Sequence, residues 1–107
     1  MTTPQIEEED QYQVANIPQY NVVLLDDDDH TYEYVIEMLH QIFGHSRAAA
    51  YQMACIVDTE GRVIVCTTSK ERAELKQQQI HAYGPDWRLP YSDGSMSAVI
   101  ELADDIN

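Results

Sequence analysis

Four aspartates and a histidine stand in a row, Asp26-Asp27-Asp28-Asp29-His30, and a further aspartate, Asp58, lies well down the chain. A carboxylate only accepts hydrogen bonds, and carboxylates held together repel one another. At an effective dielectric near 20, two such charges 4 Å apart cost about 4 kcal/mol before screening. A cation relieves that cost, and three kinds fit: a metal ion, a lysine or arginine of a partner, or an α-ammonium group. Oxygen ligands beside His30 suit a hard or borderline metal. The D-x-D-x-D-G spacing and distal glutamate of a calcium loop are missing, however. The plainer alternative is a solvated loop in which Asp28 and Asp29 only cap a helix.

The run sits between two elements of different period. Tyr20-Asn21-Val22-Val23-Leu24-Leu25 is short, apolar and β-branched, which predicts a buried strand leading straight into the acids. After it, Val35, Met38, Leu39 and Ile42 recur at i, i+3, i+4 and i+7, one face of a helix. Asp29 or Thr31 can cap that helix, Glu33 suits its positive end, and Gly44 is a natural stop. Ser46 is placed to cap a second helix with Ala50, Met53, Ala54 and Val57 on its inner face, closed by a turn at Thr59 to Arg62. If the two helices form an antiparallel hairpin, Asp58 returns toward Asp26 and Asp27. Val35, Ala54 and Val57 would then supply an apolar hollow beside an acidic rim. Such a site suits a ligand with one ammonium and one apolar side chain, which describes a protein N-terminus with a large hydrophobic first residue.

Beyond the hairpin, Val63 to Thr67 reads as a strand. Thr68 and Glu71 have the spacing of a capping box for a third, polar helix running to about Tyr83. Gly84-Pro85 ends it, and Pro85 to Gly94 is a loop whose Trp87 is expected to plug the core, the alternative being a partner surface. Ser97 to Leu102 is a last strand. The order β-α-α-β-α-β predicts an α+β domain of two layers over residues 20–103, a three-stranded antiparallel sheet packed with three helices. Residues 1–19, with Glu7-Glu8-Glu9-Asp10 and two prolines, read as a disordered acidic arm.

Composition narrows the function classes. Nineteen acidic residues against six basic ones give a formal charge of −13 across 107 residues, which repels nucleic acid and favours cationic partners. No apolar run approaches the roughly 20 residues of a membrane helix, and the polar start does not resemble a signal peptide; the expectation is a cytoplasmic protein with no membrane partner. Cys55 and Cys66 lack metal or redox spacing and are expected as buried, reduced thiols.

The stretch Tyr20-Asn-Val-Val-Leu-Leu-Asp-Asp-Asp-Asp-His-Thr-Tyr-Glu-Tyr-Val35 resembles the signature of the Clp protease adaptor family ClpS: an apolar strand, Asn-Asp-Asp, then a helix opening Met-Glu-Phe-Val. The likeness continues through Gly61 and Ser69-Lys-Glu-Arg-Ala-Glu-Leu-Lys76 and resumes at the last strand. The resemblance implies a non-enzymatic adaptor, without cofactor or metal, for N-end rule proteolysis. It would hold substrates beginning with Leu, Phe, Tyr or Trp and deliver them to the N-domain of a Clp AAA+ unfoldase of the ClpA or ClpC type. The positions that hold the substrate α-amino group are here Asp26, Asp27 and Asp58. The side-chain pocket falls on Asp28, His30, Tyr32, Val35, Ala54, Val57 and Ala98. The unfoldase-docking face includes Glu71, Glu74 and Lys76, and the acidic arm corresponds to the extension the family uses during handover. Four replacements mark this chain: Asp26 for the family Asn, Asp58 for the family His, Tyr32 for a gating Met and Ala54 for another Met. The loop from Tyr83 to Ser97 is also longer than the family norm.

Two other readings remain at this level. A ClpS-like module could regulate the unfoldase without reading N-termini, which the lost histidine at position 58 would favour. An enzyme or metal protein could be built on the Asp-rich turn and His30, although no nucleophile–base pair or phosphate loop is evident.

Overall fold

The structure is a computed structural model, and it describes residues 17–103. Strand β1 (Tyr20–Leu25) is followed by α1 (Tyr32–Phe43), α2 (Arg47–Glu60), β2 (Arg62–Thr68), α3 (Lys70–His81) and β3 (Ala98–Leu102). The sheet order is β2-β1-β3 and both pairings are antiparallel, so the strand that leads into the aspartates is the central one. Val22 and Leu24 of β1, Val63 and Val65 of β2 and Ala98 of β3 pack against Val35, Met38 and Leu39 of α1, Ala50, Ala54 and Val57 of α2, and Ala73 and Ile80 of α3. The expected two-layer α+β fold is the one observed.

Local chemistry places the helix ends. The Thr31 hydroxyl accepts the Tyr34 N–H at 3.2 Å and the Ser46 hydroxyl accepts the Ala49 N–H at 3.1 Å, each satisfying an amide the helix cannot. Helices α1 and α2 both stop at a left-handed residue, Gly44 (φ 75°) and Gly61 (φ 87°), whose N–H closes the last turn onto His40 and Val57. A bulge interrupts the β1–β2 register: Val22 pairs with Cys66 but Val23 pairs with Ile64, leaving Val65 as the extra residue in β2.

Four expectations are corrected. The cap of α3 is Ser69, whose hydroxyl accepts the Arg72 N–H at 3.3 Å, because Thr68 is held in β2 opposite Tyr20. Helix α3 ends at His81, which frees Tyr83 to pack edge-on against Tyr34. Cys55 and Cys66 are free thiols but only half-buried. Trp87 is 81% exposed, with the Arg88 guanidinium 4.7 Å above its ring, and the buried residue of that loop is its neighbour Asp86, fully enclosed. The carboxylate is satisfied inside by four donors, and turning it inward turns Trp87 out.

Residues 1–16 of the expected acidic arm lie outside the described residues. Gln19, counted with that arm, is already tied to the sheet: its carbonyl accepts the Ala103 N–H at 2.8 Å. Among the described residues no helix is long and apolar enough to cross a membrane.

Candidate functional site

Backbone pairing continues past the end of β1 and thereby builds the site. The Leu25 N–H donates to the Ser97 carbonyl and the Asp26 N–H to the Gly61 carbonyl, both at 3.0 Å. The second bond ties the first aspartate to the C-terminal end of α2, one turn beyond Asp58. Asp26, Asp27 and Asp58 consequently line one hollow, which encloses about 300 Å³ counted out to its open mouth. Its remaining walls are His30, Thr31, Tyr32 and Val35 from the start of α1, Ala54 and Val57 from α2, and Met96 from the loop before β3. The apolar members fall together because Ala54, Val57 and Asp58 occupy one side of α2, while Val35 lies one turn into α1.

Electrostatics in the hollow follow from this crowding. The Asp26 carboxyl is held above the usual aspartate range, chiefly by desolvation and then by repulsion from Asp58, Asp27 and Asp28, with the Asp27 amide working the other way. The Tyr32 hydroxyl donates to Asp58 Oδ2 at 2.6 Å, a bond that runs from the first residue of α1 to the last turn of α2. That bond pushes the Tyr32 phenol well above its ordinary range, since losing the proton would set two anions face to face. Tyr51 lies 6.0 Å from Tyr32, ring to ring. His30 is inside: its Nδ1 lies 2.7 Å from Asp27 Oδ1 and its Nε2 2.7 Å from the Gly94 carbonyl oxygen.

Not every anticipated site residue reaches the hollow. Asp28 is exposed and acts on it only through charge. Ala98 is buried in the core, and Met96, two residues earlier, takes the place in the wall. Glu71 and Glu74 stand exposed on α3, away from these walls. Lys76 is engaged rather than free: its ammonium donates to the Ile42 carbonyl at 2.7 Å and lies 5.6 Å from the Phe43 ring centre, completing the end of α1. Among the described residues no group of three or more His, Cys, Asp or Glu side chains is arranged to hold a metal ion.

Sequence reasoning named Thr31 only as a helix cap and did not single out Met96 or Asp86. Asp86 Oδ2 accepts both the Thr31 N–H and its hydroxyl at 2.7 Å, and Asp86 Oδ1 accepts the Arg88 N–H at 3.1 Å and Nη1 at 3.0 Å. Arg88 in turn reaches Glu37 of α1 at 2.8 Å. The long loop therefore clasps the start of α1, where the hollow lies. Its three contributions, Asp86 on Thr31, Gly94 on His30 and Met96 in the wall, join residues far apart in the chain, and no local pattern announces them.

Comparison with known proteins places the chain in a family. The family model described as "ATP-dependent Clp protease adaptor protein ClpS" matches residues 15–88, well over half the chain. The chain belongs to the ClpS family. A ClpS adapter protein of Hydrogenovibrio crunogenus is 34% identical over 71 residues, covering 66% of this chain and 68% of the relative. The solved structure of Agrobacterium tumefaciens ClpS2 bound to L-phenylalaninamide superposes with a TM-score of 0.69 at 22% identity, covering 80% of this chain and 98% of that one, and shares the fold. As a ClpS-family chain, the protein is an adaptor of the Clp protease, and the partners of such adaptors are Clp protease components and their substrates.

Proposed function

We propose that this ClpS-family chain is an N-degron adaptor. It captures the free α-ammonium of a substrate's first residue between Asp26, Asp27 and Asp58. It buries that residue's large hydrophobic side chain against Val35, Ala54, Val57 and Met96, and it delivers the substrate to the N-domain of a Clp AAA+ unfoldase. The observation that carries this reading is the union of an acidic rim and an apolar hollow in one open cavity. Charge-assisted hydrogen bonds to carboxylates are the strong class of such bonds, and three acceptors match the three hydrogens of an ammonium. The related ClpS2 structure holds L-phenylalaninamide, a molecule with these two recognition elements, which supports the reading. The adaptor itself performs no bond-making step. Glu71, Glu74 and Lys76 on α3 are proposed for unfoldase docking, with Lys76 acting from its tethered position, and the cytoplasm is the proposed compartment.

The test is fluorescence anisotropy with labelled peptides beginning in Leu, Phe, Tyr or Trp, each compared with its N-acetylated twin. Binding is expected for free amines and its loss on acetylation. Equal binding of both would remove the proposal.

A further inference from the structure

Both ring nitrogens of His30 are engaged inside the hollow. Its side chain is only 3% exposed. One ring nitrogen faces Asp27 Oδ1 and the other faces the Gly94 carbonyl, each at 2.7 Å. A backbone carbonyl can only accept, so Nε2 donates. Asp27 Oδ1 already accepts the Asp29 N–H at 2.9 Å, so it too serves as an acceptor. Water cannot reach the ring to satisfy a bare lone pair, and the arrangement that leaves no nitrogen unpaired has a hydrogen on both. Tyr34 locks the ring from its face at 4.4 Å and is itself anchored by its hydroxyl on the Gly84 carbonyl at 2.5 Å.

We infer that His30 is a positioning residue of the amine site, acting through Asp27 rather than through contact with the substrate's side chain. The inference rests on the amine-capture reading above. Two donors, the His30 ring and the Asp29 amide, pin Oδ1 and so set the plane of the Asp27 carboxylate. Among the described residues no donor is bonded to Asp27 Oδ2, which leaves that oxygen for an incoming ammonium. The Gly94 bond carries the constraint into the long loop, so the loop acts on amine capture through one imidazole.

The experiment uses the full-length chain, a labelled free-amine peptide beginning with Phe or Leu, and three variants: His30→Gln, Asp27→Asn and the double variant. The glutamine side chain cannot donate along both lines of the imidazole. His30→Gln is expected to weaken peptide binding about tenfold or more, the range of a hydrogen bond to a charged group. In the Asp27→Asn background the same change is expected to cost little, because its target is gone; a merely structural histidine would cost the same in both backgrounds. Nitrogen NMR of the peptide-free wild type at pH 6 is expected to show hydrogens on both His30 nitrogens. Wild-type affinity in His30→Gln, additive losses in the double variant, or a hydrogen on only one nitrogen would each overturn the role. Indifference of the wild type to N-acetylation would instead overturn amine capture itself, and this role with it.

Discussion

Replacing Asp86 with Asn should unfold the clasp between the long loop and α1, and the size of the loss follows from its surroundings. The side chain is fully buried and accepts four hydrogen bonds, two from Thr31 and two from Arg88. Burial alone would push its carboxyl up; the hydrogen bonds from Thr31 and Arg88 overcome that and hold it down at about 2, against 3.8 for a free aspartate. Converting that depression gives about 2 kcal/mol of preference for the ionised form in the folded state. The amide removes the charge and also turns one acceptor into a donor aimed at a donor. Breaking a buried charged network from one side costs about 3–5 kcal/mol, so about 3 kcal/mol is expected at pH 7. For a domain of this size that corresponds to a melting temperature lower by roughly 10–20 °C. The sign against pH is also set: a depressed carboxyl contributes its stability above the unfolded value and loses it as pH falls through the folded one. The gap between wild type and Asp86→Asn should therefore be full above about pH 5 and narrow between roughly pH 4 and 2. Urea denaturation followed by far-ultraviolet circular dichroism measures this as a shift of midpoint at constant slope. A loss under 0.5 kcal/mol at pH 7, or a gap that stays constant down to pH 2, would refute the assignment of Asp86 as an ionised, load-carrying acceptor.

Gly61→Ala is expected to cost about 1 kcal/mol, read in the same denaturation assay, purely from the left-handed backbone, since no atom lies within 4 Å of the added methyl. Peptide affinity should fall as the solution is acidified through the raised Asp26 range, because an ammonium ligand needs the ionised carboxylate; anisotropy from pH 7 down to pH 4 checks this, and Asp26→Asn should flatten part of the slope. Tyr32→Phe should tighten binding of a free-amine peptide a few-fold by releasing Asp58 Oδ2 from the 2.6 Å bond, with stability changed by less than about 1 kcal/mol because that bond is exposed.

The chain alone specified what depends on neighbours within a turn or two. The 3.6 period of Val35, Met38, Leu39 and Ile42, the caps at Thr31 and Ser46 and the stops at Gly44 and Gly61 are local rules, and the helices follow them. The hairpin argument put Asp58 beside Asp26 and Asp27, and the three acids do line one hollow; their service as amine ligands is the proposal. The tertiary structure decided whatever turns on distant partners. Thr68 could not cap α3 because β1 claimed it for the sheet. Trp87 lost the core to Asp86 because a buried carboxylate gains four donors there, two of them from a residue 55 positions away. His30 became a link between Asp27 and Gly94 only once the long loop folded back over α1. Hydrophobic periodicity can be read along a chain because it is a property of spacing, whereas the partner of a buried polar group is a property of space and is set when the loop closes.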